Sequence, residues 1–134
     1  MTLVVDASVA TKWVLPEPGS AEAAALRTQD PDLIAPSLVV AELGNALWKG
    51  VMRGDIAGRD VVHILQIAAG HYARLIPLED IAAEATKLAV DLKHPIYDCF
   101  YLALAERERA PLSSADRRLV AATTKGKGIG VRAL

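Results

Sequence analysis

Short apolar runs alternate along the chain with longer segments in which apolar residues recur every three or four positions. That rhythm predicts strands alternating with helices, hence an α/β fold with a mostly parallel sheet covered on both faces and joined by right-handed crossovers. Leu3-Val4-Val5 is the first apolar run and reads as a buried strand ending on Asp6. Further strands are predicted at Leu33-Ile34-Ala35, Leu75 to Leu78 and Pro111 to Ser114, with a last short one in the glycine-spaced end from Gly126 to Val131. Pro77 suits an edge strand, where a missing N–H costs least.

The helices fall between these runs. Ala7 to Leu15 is one, stopped by Pro16, Pro18 and Gly19, and Ser20 is expected to cap a second, alanine-rich one. Pro36 and Ser37 open a longer helix from Leu38 to Met52, with Val39, Leu43, Ala46, Leu47 and Val51 on its apolar stripe. Gly58 to Arg74, Glu79 to Leu92, Tyr97 to Arg109 and Arg117 to Thr123 complete the set. There is no internal repeat.

At 134 residues the chain is the size of one domain with a real core. It is 52% hydrophobic but only 4% aromatic, so that core is aliphatic and alanine-rich, which favours helices on a sheet over a β-sandwich. A single cysteine, Cys99, has no internal disulfide partner, and the first residues do not resemble a secretory signal. A cytoplasmic protein is expected. No run approaches the roughly 20 apolar residues of a membrane helix.

Net charge is −1, but it is unevenly divided. From Arg107 onward there are seven basic residues against two acidic ones, so the rest of the chain is acidic. A basic end on an acidic body suits holding a polyanion near a cation-binding site; a solvated, charge-mixed surface explains it equally well.

Four acids stand in apolar or strand-end surroundings: Asp6, Glu42, Asp98 and Asp116. Asp6 and Asp116 each lie at the end of a predicted strand with a hydroxyl two positions away, Ser8 and Ser114 respectively. Glu42 sits mid-helix with Asn45 one turn on, and Asp98 opens a strongly apolar helix. Each taken singly also has a structural explanation, as a helix cap, a first-turn acid or an exposed helix acid. Taken together they pose a different problem. Convergent carboxylates repel and are costly to bury unless protonated, paired or bound to a cation, and an oxygen-only donor set suits Mg²⁺ or Mn²⁺. Such a site can drive in-line displacement at a phosphodiester.

The ordered set Val4-Val5-Asp6-Ala7-Ser8, Glu42-Leu43-Gly44-Asn45, Tyr97-Asp98-Cys99 and Ser114-Ala115-Asp116-Arg117-Arg118-Leu119 resembles a PIN domain, most closely the short VapC-type toxins of toxin–antitoxin pairs. The resemblance covers nearly the whole chain and implies a single PIN domain over residues 1–134, a three-layer α/β/α sandwich around a mostly parallel sheet of four to five strands. It also implies a Mg²⁺- or Mn²⁺-dependent endoribonuclease with Asp6, Glu42, Asp98 and Asp116 as catalytic, metal-holding acids. Ser8, Asn45 and Ser114 would orient those acids, Ser114 standing where the family more often has Thr. Arg117-Arg118 occupies the region where some relatives carry a further acid, which bears on the number of metal ions. Arg117, Arg118, Lys125 and Lys127 are candidate contacts to RNA. A cognate antitoxin, a homodimer and an RNA substrate are the expected partners.

The three histidines, His63, His71 and His94, lack metal-ligand spacing and read as structural or surface residues, and Cys99 as a small core residue. Trp13, Leu15, Leu47, Trp48 and Val51 are candidates for an apolar groove that takes a partner helix; a plain core role is the alternative. Two rival functions are a non-catalytic RNA- or partner-binding module of the same fold and a receiver-like Mg²⁺-binding phosphoacceptor. The second requires an acceptor Asp after the middle strand and a Lys after the last, and neither is well placed in the sequence.

Overall fold

The computed structural model describes residues 1–28, 32–123 and 130–133. Its sheet contains β1 (Thr2–Val5), β2 (Asp32–Pro36), β3 (Arg74–Ile76), β4 (Leu112–Ser114) and β5 (Val131–Ala133). The spatial order is β3-β2-β1-β4-β5, and every neighbouring pair is parallel. The helices are α1 (Ala7–Ala10), α2 (Ser20–Thr28), α3 (Leu38–Met52), α4 (Val61–Ala69), α5 (Leu78–Leu92), α6 (Ile96–Glu108) and α7 (Arg117–Thr123). They cover the sheet as a three-layer α/β/α sandwich.

Centrality explains β1. Leu3, Val4 and Val5 are all fully buried, as a strand with neighbours on both edges and helices on both faces requires. α6 packs along β1, β2 and β4 while α5 lies against α6, so Cys99, Tyr101, Leu102, Leu104 and Ala105 are buried with no single apolar stripe. α3 contacts β2 through the face that carries Val39, Leu43 and Leu47, and α4 packs on α3. β3 is an edge strand, and Pro77 lies just beyond it.

Three local expectations are corrected. The helix expected over Ala7 to Leu15 is only α1 followed by a 3₁₀ turn, Thr11–Trp13, because the Thr11 hydroxyl bonds the Ala7 carbonyl at 2.7 Å and prolines follow. Ser20 does not cap α2. Its hydroxyl accepts from the Glu17 N–H at 2.9 Å and donates to the Leu15 carbonyl at 3.2 Å, so it closes the preceding loop, while Gly19 takes a left-handed φ of 89°. The segment Gly58 to Arg74 is not one helix but a 3₁₀ turn (Gly58–Asp60), α4 and the start of β3. Gly70 ends α4, and Arg74 is recruited by pairing with Ile34.

The order of strands also bears on the receiver-like alternative. Its acceptor position does exist here, since the middle strand is β1 and Asp6 follows it. The order itself is that of a dinucleotide-type doubly wound sheet, however, and not the 2-1-3-4-5 order of receiver-like folds.

Candidate active site

The chain reverses its direction of winding between β1 and β4, and in such sheets ligands bind outside the carboxyl ends of the strands at that point. Asp6 stands there. Its Oδ1 accepts from the Ser8 hydroxyl at 2.6 Å and from the Val9 N–H at 3.2 Å, and its Oδ2 accepts from the Ser114 hydroxyl at 2.5 Å. It therefore caps α1 and is a buried acid at the same time, 4% exposed. The two serines also join the strand ends: Ser8 Oγ accepts from the Ala115 N–H at 2.9 Å and Ser114 Oγ from the Asp116 N–H at 3.0 Å. Asp116 in turn accepts from the Arg118 N–H at 2.9 Å.

Glu42 and Asp98 arrive from helices. Glu42 projects from the middle of α3, and its Oε1 accepts from the Tyr101 hydroxyl of α6 at 2.5 Å. Asp98 lies in the first turn of α6, where the helix dipole favours an anion, and its Oδ2 is 2.6 Å from His94 Nε2. Glu42, Asp98 and Asp116 line one cleft of about 730 Å³ together with Lys93, Tyr97 and Arg118.

Burial and mutual repulsion set the electrostatics. The Asp6 carboxyl is pushed up from 3.8 to about 6 by burial, against its hydrogen bonds to Ser114, Ser8 and Val9, with the Asp116 charge adding to the rise. Glu42 is raised by burial and then by the Asp6 and Asp98 charges, although the Tyr101 hydroxyl opposes this. The hydroxyls of Tyr72 and Tyr101 are held well above their ordinary value by burial first and by nearby acids second, so both remain donors. Tyr72 donates to the Val5 carbonyl at 2.8 Å, which anchors the end of β1 directly before Asp6.

This donor chemistry fits a hard divalent cation: four carboxylates, two of them raised by burial and repulsion that a cation would relieve. As arranged here, among the described residues no three acidic, histidine or cysteine side chains close around one point. Glu42 and Asp98 each have an oxygen turned to Tyr101 and His94.

The remaining expected residues fare unequally. Asn45 is exposed on α3, makes no hydrogen bond to a carboxylate and does not line the cleft, although it stands one turn after Glu42. Arg118 lines the cleft, whereas Arg117 is exposed outside it. Lys125 and Lys127 lie outside the described residues. Cys99 is buried and its thiol is pushed up to about 11, which makes it inert. Of the structural or surface roles expected for His94 the structural one holds, since it is largely buried against Asp98, and Tyr101 is a further residue that touches the candidate acids. Both stand at helical spacing from Asp98, four residues before and three after, which is the pattern that could have flagged them.

The chain belongs to the PIN domain family, whose match spans residues 3–125. It is 31% identical over 121 residues to ribonuclease VapC3 of Pyrobaculum aerophilum, covering 89% of this chain and 92% of that protein. Its fold is similar to that of a toxin–antitoxin complex from Klebsiella pneumoniae, with a TM-score of 0.70 and 16% identity, covering 98% of this chain and 96% of that one. It is likewise similar to Mycobacterium tuberculosis VapC20, described as a sarcin-ricin loop cleaving toxin, with a TM-score of 0.69 and 16% identity over 90% of this chain and 95% of that one.

Proposed function

We propose that the protein is a metal-dependent endoribonuclease and the toxin of a toxin–antitoxin pair. The observation that carries this reading is the gathering of Asp6, Glu42, Asp98 and Asp116, from four separate elements, about the carboxyl ends of β1 and β4. The similarity to ribonuclease VapC3 supports RNA as substrate.

In this mechanism the four acids would hold Mg²⁺ or Mn²⁺, which supplies a Lewis acid for the phosphate and a more acidic water for in-line attack. The chain's own residues prepare the site. Ser8 and Ser114 fix both oxygens of Asp6, Tyr101 fixes one oxygen of Glu42, and His94 fixes one of Asp98. Arg118, in the cleft lining, would offset phosphate charge as the strand enters. Cleavage leaves a 5′-phosphate and a 3′-hydroxyl.

The antitoxin would dock between α3 and α4, in a groove of about 280 Å³ lined by Leu47, Trp48, Val51, Val61, Val62 and Leu65. Trp48 is 55% exposed and Val62 63% exposed there, a suitable seat for an amphipathic helix. Trp13 and Leu15 do not contribute. Trp13 packs on Tyr72 and bonds the Ala23 carbonyl at 2.8 Å, and Leu15 is buried. A homodimer belongs to the same proposal and is read by sedimentation.

The test is cleavage of total RNA by partner-free protein with Mn²⁺ or Mg²⁺ and with chelator, beside Asp6→Ala and Asp98→Ala. Discrete metal-dependent cuts that both variants lack support the nuclease. If the folded wild type cuts nothing in either ion across several RNA pools, the nuclease reading fails and a binding-only module takes its place.

A further inference from the structure

Six aromatic residues serve this chain, and four of them are packed: Trp13, Tyr72, Phe100 and Tyr101 lie in or against the core. The two exposed ones have opposite settings. Trp48 stands among aliphatic side chains in the groove between α3 and α4. Tyr97 is 62% exposed in the first turn of α6, next to Asp98, and lines the acidic cleft together with Lys93 and with Arg118 of α7.

An exposed ring that shares a cleft with two cationic side chains and with acids suited to a metal meets the two requirements of an unpaired nucleotide. Every base has a face that stacks on an aromatic ring, and the phosphates on either side need cations. A duplex hides its base faces and cannot use the ring. Lys93 ends α5 with a left-handed φ of 52°, where glycine would be unstrained, and lines the same cleft as Tyr97.

We infer that Tyr97 and Lys93 form a subsite for one unpaired RNA nucleotide at the mouth of the cleft, Tyr97 stacking the base and Lys93 holding a flanking phosphate. The inference rests on the ribonuclease reading for the identity of the polymer and adds how it is held: the substrate is single-stranded where it enters. Tyr97 belongs to binding and takes no part in the displacement.

The experiment measures binding of an unstructured, end-labelled RNA oligonucleotide by fluorescence anisotropy in chelator, where no cutting occurs, and cleavage of the same RNA in Mn²⁺. Tyr97→Ala is expected to weaken binding by about 5- to 100-fold, while Tyr97→Phe and Tyr97→Trp stay near wild type, because stacking needs a ring and not a hydroxyl. Lys93→Gly is expected to raise the melting temperature by releasing the left-handed strain, yet to weaken binding and to lower the salt slope of log K by about 0.7. A purely structural lysine would not move those two quantities in opposite directions. Fully paired RNA of the same sequence should bind the wild type more weakly and be indifferent to Tyr97→Ala.

Tyr97→Ala binding and cutting like wild type overturns the inference and leaves the nuclease standing. Tyr97-dependent binding without any cutting in either metal keeps the subsite and removes the nuclease. Equal binding of paired and unpaired RNA, or no binding by the wild type, overturns the subsite.

Discussion

His94 Nε2, two residues before the start of α6, lies 2.6 Å from Asp98 Oδ2 in its first turn, so an imidazole steers an acid of the candidate site. With Asp98 ionised the contact requires the proton on Nε2. Removing such a partner from a metal-holding carboxylate costs roughly 10- to 100-fold in affinity or rate. His94→Ala is expected to weaken Mn²⁺ binding, measured by calorimetry, and to slow cleavage by about tenfold or more. His94→Gln, which keeps a donor, should recover part of both.

Asp6 makes stability depend on pH in an unusual direction for an acid. Its carboxyl rises from 3.8 in the unfolded chain to about 6 in the fold, so its contribution is complete below pH 3.8 and is lost as pH rises through 6. The loss amounts to about 3 kcal/mol at most. Asp6→Asn, in chelator, is expected to be more stable than wild type at pH 7.5, with the gain vanishing near pH 4. Denaturant melts across that range decide it.

Tyr101→Phe keeps a fully buried ring in place and deletes only the donor to Glu42. Loss of a hydrogen bond to a charged group costs roughly 1.5–3 kcal/mol. Because that bond lowers the Glu42 pKa, its removal raises the pKa further, and the acid limb of the pH–rate profile should move upward. An unmoved acid limb would count against Glu42 as a group that must ionise for activity.

A divalent cation held by the clustered acids would bind the folded chain and not the unfolded one. At 100 times its Kd it adds about 2.7 kcal/mol, so Mn²⁺ should raise the wild-type melting temperature at pH 7.5. Asp116→Asn should shrink that rise. Equal shifts in both proteins would remove Asp116 from the metal-holding set.

Much of this architecture is written locally. Leu3-Val4-Val5 announces a two-sided buried strand because only aliphatic residues fit at every position of such a run, and α3 and α5 follow their apolar stripes closely. Three of the four acids are legible for a related reason: charge in an apolar context is costly, so Asp6, Glu42 and Asp98 stand out on the page. Where the elements meet is not local. Ser20 looks like a cap and instead closes a loop, and Arg74 looks helical and instead pairs with β2, because partners distant along the chain outcompete the local preference. Strand order, the bond from Tyr101 to Glu42 across 59 positions and that from Ser114 to Asp6 across 108 exist only once the sheet and helices are assembled. Residue type and spacing determined which acids are candidates for the chemistry; tertiary packing decided that the Ser114 and Tyr101 hydroxyls hold Asp6 and Glu42, since a hydrogen bond depends on proximity in space and not on separation along the chain.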